Sequence, residues 1–307
     1  MTLLSQADIA QRIPHRFENL LLDECSGSGN DTSEFSVTLS SDDAHDRDLF
    51  IYNHGNTPSI PTPLLTEISA LACIVSAGEI KSGTFAYFAA IANFSIDNEP
   101  FQSDAKITGS TEKISDKNGF YKYRFKLSAN DHSASGQLMA YYDTSGNSEV
   151  TLQPIELADD VHGALTTGVA VAPYSNKKES MTFVDTVHLT TDNEALYGYQ
   201  YPSSHPLIKG HFPNNPVMMG VCQWQMLEDA MAHYFSKFTA FKQNEKTCNA
   251  MIFKSNLTPV CEIKSATIVG KVVDNQWHVY TKSIKKVLFK QRVVPNDQLY
   301  IFITAIV

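Results

Sequence analysis

The stretch "GHFPNNPVMMGVCQWQ", residues 210–225, joins a histidine and several turn-forming residues to an apolar segment. His211 comes first, and from Gly220 onward the apolar residues predict a buried helix. A histidine that leads into such a helix suits acid–base chemistry, because its ordinary pKa of about 6.5 lies near neutrality. Such chemistry usually needs a carboxylic acid as well. This helix carries Gln225 at the position where an acid would be useful.

A related stretch lies in the first half of the chain. It reads "YNHGNTPSIPTPLLTEISALACIVSAG", residues 52–78, and it also has a histidine, a proline a few residues later and an apolar helix. Extended segments precede each helix, and several alternating segments follow it. One helix wrapped by an antiparallel sheet, present twice, is an α+β layout. The polar stretch 151–163 separates the two halves, so the predicted domains are residues 1–152 and 153–307.

Alternating apolar residues and turn signals predict the strands. Turns are expected at residues 116–119, 130–131 and 295–297. The predicted strands after the two helices are residues 84–94, 103–114, 119–129 and 133–143 in the first half, and 249–256, 262–273, 276–294 and 298–307 in the second.

Composition limits the class of protein. The chain has 307 residues, 43% hydrophobic and 19% charged, which is typical of a globular protein with a sizeable core. No stretch approaches the roughly 20 apolar residues of a membrane span, and the N-terminal residues do not form a signal peptide. The net charge of −9 argues against nucleic-acid binding, which depends on neutralising phosphates.

The cysteines and the missing motifs indicate a protein without cofactor or metal. Five cysteines with no CxxC pair indicate reduced thiols in a cytoplasmic protein. No glycine-rich phosphate loop or HExxH sequence occurs, and His205 has no further ligand at metal spacing. We therefore expect neither a cofactor nor a metal ion.

The sequence resembles the 3-hydroxyacyl-[acyl-carrier-protein] dehydratases of the hot-dog fold. Their hallmark is His-Phe-Pro-x-x-Pro-x-x-Pro-Gly-Val, with an acidic residue five positions after the glycine. The second half matches it, with Met219 in place of the last proline and Gln225 in place of the acid; the matching residues are His211, Phe212, Pro213, Pro216, Gly220 and Val221. The segments 13–24 and 86–107 also resemble the family. The resemblance implies a double hot-dog fold.

Aligning the first half by its prolines gives a candidate for the missing acid. Pro61 takes the place of the final proline of the motif, and Glu67 follows it by six residues, where the family has its acid. His54 takes the histidine position, displaced by one residue. Family members are dimers in which each site takes histidine from one protomer and carboxylate from the other. The resemblance therefore implies an intrachain pseudodimer in which His211 faces Glu67, while His54 and Gln225 form an inactive second site.

The chemistry of dehydration fits these residues. Histidine at position 211 would remove the proton next to the thioester carbonyl, and Glu67 would protonate the 3-hydroxyl, because burial among apolar residues raises a carboxyl pKa. In the family a backbone N–H at the helix start, here that of Gly220, stabilises the thioester oxygen. The corresponding residues in the first half are Thr62 and Pro63, and proline has no N–H. The resemblance also implies a substrate-binding role for Phe212, Pro216 and Val221.

Structural interpretations stand beside these roles. His211 could support a tight turn, Glu67 could hydrogen-bond within the core, and Gln225 could be a polar contact between the halves. One helical turn beyond Gln225, Glu228 could replace the lost acid, but the offset moves it about 4.5 Å along the helix axis. His15 and Arg16 match the family's early motif and are interpreted as structural.

The predicted function is dehydration of a 3-hydroxyacyl thioester, with acyl carrier protein as the expected partner. A hot-dog thioesterase and a catalytically decayed acyl-binding protein remain alternatives, since fold alone does not separate them. The double arrangement is similar to the dehydratase regions of polyketide and polyunsaturated fatty acid synthases. Further association of the chain into a homo-oligomer is also open.

One basic segment, residues 281–292, could dock an acidic carrier protein. It has no acidic residue, and Lys209 beside the motif could add to it; its basic residues are Lys282, Lys285, Lys286, Lys290 and Arg292. A solvated strand face is the alternative interpretation of the same charges.

Overall fold

The computed structural model describes residues 2–26, 31–40, 42, 46–77, 85–117, 119–143, 152–172, 176–212, 215–238 and 243–307. Pro213, Asn118 in the predicted turn at 116–119, and Thr84 at the start of a predicted strand lie outside these ranges. No helix in the described ranges is long and apolar enough to cross a membrane.

The strands of the first half are β1 (Leu3–Ser5), β2 (Glu24–Ser26), β3 (Thr32–Val37), β4 (Tyr52–His54), β5 (Thr57–Ser59), β6 (Phe85–Ile96), β7 (Ile107–Lys117), β8 (Phe120–Ala129) and β9 (His132–Asp143). Those of the second half are β10 (Val169–Ala170), β11 (Thr186–Thr190), β12 (Ala195–Gln200), β13 (Gln243–Lys254), β14 (Pro259–Val273), β15 (Gln276–Phe289) and β16 (Gln298–Thr304). The α-helices are α1 (Gln6–Arg12), α2 (Thr62–Ala77), α3 (Asp159–Ala164) and α4 (Gly220–Phe238).

Fourteen of these strands form one antiparallel sheet that runs through both halves. Its order is β1-β2-β3-β7-β8-β9-β6-β15-β14-β13-β16-β12-β11-β10. The halves join where β6 pairs with β15, for example at Ala90 and Leu288. The strands of each half are therefore contiguous in the sheet, and the seam between them lies at its centre.

Two long helices occupy the interior of this sheet and contact each other. Helix α2 is buried at nearly every position because it is apolar on all sides, as expected of a helix at the centre of a core. Across the seam, the Phe94 ring of the first half packs edge-on against Trp224 of α4, with ring centroids 5.1 Å apart. One hydrophobic cluster extends through both halves.

The predicted α+β double hot-dog fold is confirmed, with local corrections. The segment 103–106 is not part of β7, because Asp104 turns the chain with a φ of 66°. Strand β13 begins at Gln243, before the predicted start. Strand β15 ends at Phe289, since the N–H of Lys290 turns to the Val260 carbonyl at 2.8 Å. The domain division at residue 152 stays a prediction.

Candidate active site

The loop that carries His211 is held against the N-terminal segment of the chain. The Arg16 N–H donates to the Gly210 carbonyl at 3.0 Å, and the Asn19 side chain donates to the Leu207 carbonyl at 3.3 Å. A Cβ on Gly210 would lie 2.1 Å from the Arg16 carbonyl oxygen, so this approach requires glycine. The contact brings His15 to His211, with ring centroids 5.3 Å apart.

His211 is buried, and its tautomer follows from its hydrogen bond. Its Nδ1 lies 2.8 Å from the Val217 carbonyl oxygen, which can only accept, so Nδ1 carries the proton. The Nε2 atom is then an unprotonated base. Burial lowers the pKa of His211 to about 4, although the bond to Val217 opposes this. The imidazole is therefore neutral at physiological pH and able to accept a proton.

Glu67 lies in the first half of α2 and is 3% exposed. Its Oε2 has no hydrogen-bond partner among the described residues. Burial raises the pKa of Glu67 to about 8, so the carboxyl keeps its proton at neutral pH. A protonated carboxylic acid in an apolar environment can donate that proton to a leaving group.

His15, Glu67 and His211 form one cluster in the interior. One side-chain donor atom from each lies within 4.8 Å of the other two. His15 is 3% exposed, and its Nδ1 has no partner among the described residues. Burial holds the pKa of His15 well below its ordinary value, and the nearby His211 adds to this. The structure thus brings together the two residues predicted to form the composite site and adds a third.

Helix α4 starts at Gly220, in the same segment of the chain as His211. Because Gly220 is the first residue of the helix, its N–H has no partner within the helix. A Cβ at this position would lie 3.1 Å from the Phe289 ring, so a larger residue would push that ring aside. Phe212 and Val221 are buried, and Pro216 is half-buried. In the first half, α2 begins at Thr62, which corresponds to Gly220, and the next residue, Pro63, has no N–H.

A row of aromatic rings leads from His211 toward the surface. The Phe212 ring centroid lies 4.4 Å from that of His211 and 5.9 Å from that of Tyr87. The guanidinium carbon of Arg292, which is exposed, lies 4.8 Å from the Tyr87 ring centroid. Residues of both halves therefore lie between His211 and the exposed Arg292.

The second predicted site has a different structure. His54 is buried, and neither ring nitrogen has a partner in the described part of the chain. Burial lowers its pKa to about 4, with His278 adding to the shift. The Tyr52 ring lies 6.3 Å from that of His54 and lines the same narrow cavity as Gln225 and Glu228. Through Tyr52, His54 is next to the cavity that Gln225 lines; the second composite site stays a prediction.

Glu228 is fully engaged in hydrogen bonds. Its Oε1 accepts from the backbone N–H and the hydroxyl of Thr281, at 2.9 and 2.7 Å, and its Oε2 accepts from the Gln225 side chain at 3.0 Å. Burial raises its pKa to about 7, while the bonds from Thr281 oppose the rise. Nearby, Lys177 forms an ion pair with Asp229. The polar groups around this cavity are thus paired with one another. Gln225, the residue in the acid position, is also a hydrogen-bond partner of Glu228.

The basic segment is partly neutralised by acids from other strands. Lys282 pairs with Glu245 at 3.0 Å, and Lys290 pairs with Glu262 at 2.8 Å. For Lys285 and Lys286 the described residues provide no ion pair. Together with Arg292, these two lysines are the remaining candidates for docking.

Two contributors to the site were missed by sequence reasoning. His15 was interpreted as structural. The signal that could have found it is the resemblance of residues 13–24 to the family's early segment, in which His15 lies. No sequence pattern marks Gly210, because the need for glycine there comes from the close approach of Arg16, which is distant in the chain. The hydrogen bond from Asn19 to Leu207 shows the same long-range packing.

Comparison with known proteins gives one family match. The model of ApeI-like proteins, described as ApeI dehydratase, matches residues 187–267. None of the curated proteins matches. The matched segment lies in the second half and includes His211 and Gly220.

Solved dehydratases have limited similarity to the structure. The ApeI:P dehydratase heterocomplex from Xenorhabdus doucetiae is 16% identical, covers 45% of this chain and 91% of its own, and has a TM-score of 0.39. A pyran synthase domain of the sorangicin pathway is 12% identical, covers 90% and 98%, and has a TM-score of 0.47. The CurK dehydratase domain of the curacin polyketide synthase is 9% identical, covers 89% and 96%, and has a TM-score of 0.43. The fold assignment rests on the strand order and the two central helices, not on these likenesses.

Proposed function

We propose that the protein dehydrates a 3-hydroxyacyl thioester to the trans-2-enoyl thioester, at a single site composed of His211 from the second half and Glu67 from the first. The observation that carries this proposal is the buried cluster in which a neutral imidazole and a protonated carboxyl lie within 4.8 Å of each other. Dehydration requires a base that removes the proton from the carbon next to the carbonyl. It also requires an acid that protonates the hydroxyl on the adjacent carbon. The match to the dehydratase model over residues 187–267 agrees with it.

His211 acts as the base. Its Nε2 takes the proton from the carbon next to the thioester carbonyl, and the Val217 carbonyl holds the ring in the required tautomer. Glu67 acts as the acid. It protonates the 3-hydroxyl as the bond between carbon and oxygen breaks, and water leaves. The electron pair of the broken C–H bond forms the new double bond.

The Gly220 N–H stabilises the negative charge that develops on the thioester oxygen. An N–H at a helix start has no intrahelical partner, and the helix dipole adds a positive potential there. Phe212, Pro216 and Val221 form the surface against which the acyl chain lies. The second site stays inactive, since Gln225 has no acidic proton.

The expected partner is an acyl carrier protein, which is acidic and delivers its thioester on a flexible arm. Arg292 and the Tyr87 and Phe212 rings form the route from the surface to His211. Lys285 and Lys286 lie on β15 beside the seam, where Lys286 pairs with Ala92 of β6. Because the chain carries a net charge of −9, a local positive patch is needed to attract an acidic partner.

Charge reversal tests this docking surface. Replacing Lys285 and Lys286 with Glu should weaken the reaction of a carrier-bound substrate, while a small N-acetylcysteamine thioester reacts as before. The loss should shrink at 1 M salt, where charges are screened beyond about 3 Å. Lys282→Glu is the matched control, since that lysine is already paired with Glu245. Equal losses for both substrates would contradict docking at this surface.

The decisive test of the activity is incubation with 3-hydroxyacyl and trans-2-enoyl thioesters of several chain lengths, followed by enoyl absorbance and by free thiol. A dehydratase interconverts the two thioesters and releases no thiol. Release of thiol would instead indicate a thioesterase, in which the carboxylate activates water. Binding of the thioesters without any reaction would indicate an acyl-binding protein.

The organisation of the chain belongs to the same proposal. Residues 1–152 supply the acid and residues 153–307 supply the base and the helix-start N–H, so neither domain alone is active. The five cysteines are free and buried, which agrees with a cytoplasmic location. Light scattering would show whether two pseudodimers associate into a homo-oligomer.

A further inference from the structure

His15 is the buried titratable group of the cluster that the proposed reaction leaves without a role. It belongs to the first half and precedes Arg16, whose N–H donates to the Gly210 carbonyl of the His211 loop. The Arg16 guanidinium donates a hydrogen bond to the His15 carbonyl at 2.7 Å. Its Nδ1 has no partner in the described ranges, and a donor atom of the ring lies within 4.8 Å of both Glu67 and His211. Burying an imidazole nitrogen without a partner is unfavourable, which favours a functional reason for it.

The proposed dehydration leaves the site in the wrong protonation state. After one turnover His211 holds the proton from the substrate carbon, and Glu67 has given its own proton to the departing water. The base and the acid must exchange a proton before the next substrate reacts. The enoyl product lies between them, because one group acts on the second carbon and the other on the oxygen of the third.

We propose that His15 returns this proton from His211 to Glu67 and so resets the site after each turnover. The inference rests on the dehydration proposed above. The Nε2 proton of His211 passes to the free ring nitrogen of His15, which becomes transiently cationic. The same proton then passes to the Glu67 carboxylate, so all three groups recover their starting states and no net proton is gained or lost.

The geometry and the energetics support this route. A separation of up to 4.8 Å is one that a single water molecule spans with two hydrogen bonds of about 2.8 Å, and the reaction itself releases one water. The transfer is favourable overall, since burial lowers the pKa of His211 to about 4 and raises that of Glu67 to about 8.

In the second pocket the imidazole beside His54 is that of His278, with ring centroids 5.7 Å apart. Its Nδ1 lies 2.7 Å from the Asn53 carbonyl oxygen, whereas the Nδ1 of His15 has no partner among the described residues. The 3₁₀ turn Phe17–Asn19 precedes β2 and β3, and the turn Glu179–Met181 precedes β11 and β12; His15 and Lys177 each lie two residues before one of these turns. Lys177 is held in an ion pair with Asp229. The first half, which supplies the acid of the proposed site, thus also supplies His15 to it, an imidazole whose Nδ1 has no partner among the described residues.

Rapid-mixing kinetics with a 3-hydroxyacyl N-acetylcysteamine thioester tests the inference. For His15→Asn, the first turnover should proceed at close to the wild-type rate, while steady-state turnover falls by about tenfold or more. The ratio of the first-turnover rate to the steady-state rate therefore rises by the same factor. Formate or imidazole, as small proton carriers, should partly restore the steady-state rate. His54→Asn, a buried histidine of the second pocket, serves as the control with an unchanged ratio.

The outcomes separate this inference from the proposed function. If wild-type protein forms no enoyl product, the proposed dehydration fails. If it does, and both rates fall together in His15→Asn, or neither falls, the proton return through His15 is wrong. Melting temperatures by circular dichroism check that the variant is folded. If His15→Asn is not folded, His15→Gln takes its place in the experiment, and the same result is expected for it.

Discussion

Glu67 on α2 and Glu228 on α4 are equally buried, at 3% exposure each, yet their surroundings differ. Glu67 has an oxygen without a partner in the described part of the chain, whereas Glu228 accepts three hydrogen bonds. Burial raises the pKa of both carboxyls, and for Glu228 the neighbouring Asp229 adds to the rise. The difference lies in the use of their oxygens: those of Glu228 are occupied by Thr281 and Gln225, while Glu67 keeps one free for a substrate.

The two histidines follow the same contrast. His211 has one nitrogen fixed by Val217 and the other free, and a protonated carboxyl and a helix start lie nearby. His54 has two nitrogens without partners among the described residues, close to a cavity lined by Gln225 and Glu228. Each half thus contributes one member of the proposed acid–base pair, and the two lie together in the buried cluster.

Replacing the two glutamates should separate catalysis from stability. Glu67→Gln keeps the shape but removes the acidic proton, so we expect enoyl formation to fall by about 10²–10⁴-fold with little change in folding. Glu228→Ala leaves the Thr281 donors unpaired, so we expect the free energy of unfolding to fall by about 1–3 kcal/mol. Its turnover should stay near that of the wild type while the protein is folded. The measurements are enoyl absorbance and urea denaturation.

A comparable loss of turnover from Glu228→Gln, which retains most of the hydrogen bonds, would contradict this separation. It would instead assign the acid role to Glu228, the alternative that the sequence left open.

The pH dependence of kcat/KM provides a second test of the contrast. The active form has neutral His211, with a pKa of about 4, and protonated Glu67, with a pKa of about 8. The rate should therefore be flat between these values, fall tenfold per unit above about pH 8 as Glu67 ionises, and fall below about pH 4 as His211 is protonated. If both groups had ordinary pKa values, the pH profile of kcat/KM would instead peak near pH 5 to 6 and be low at pH 8.

The fold could be predicted from the sequence in large part. The apolar helices, the alternating strands and the two-residue turn at Asn130 are local signals, and they agree with the observed elements. The ends of β7, β13 and β15 were wrong because they depend on backbone contacts distant in sequence, such as the bond from Lys290 to Val260.

The site could be predicted only where a motif marked it. The proline alignment led to Glu67, and the structure brings its carboxyl to His211. The place of His15 depends on how residues 15–19 pack against residues 207–210, which no local pattern encodes. Likewise, Lys282 and Lys290 have acidic partners on other strands, so their charges are not available in the way that the segment alone suggested.

Restoring an acid to the second pocket should have the smallest effect. Gln225→Glu places a carboxyl beside Glu228, whose Oε2 lies 3.0 Å from the present amide nitrogen. Repulsion would keep one of the two carboxyls protonated. We still expect no gain in enoyl formation in a Glu67→Gln background, because no described residue holds the His54 ring in a fixed tautomer, as the Val217 carbonyl does for His211. Recovery of activity in that double variant would show that the second pocket is only one residue from function.

The central claim is that one of two related sites does the chemistry, and a comparison of the two histidines tests it most directly. The rate of enoyl formation from a 3-hydroxyacyl N-acetylcysteamine thioester should be measured for wild type, His211→Asn and His54→Asn, with circular dichroism to verify folding. We expect a loss of about 10²–10⁴-fold for His211→Asn and a rate within about twofold of wild type for His54→Asn. Equal losses from the two replacements, or a loss confined to His54→Asn, would contradict the account.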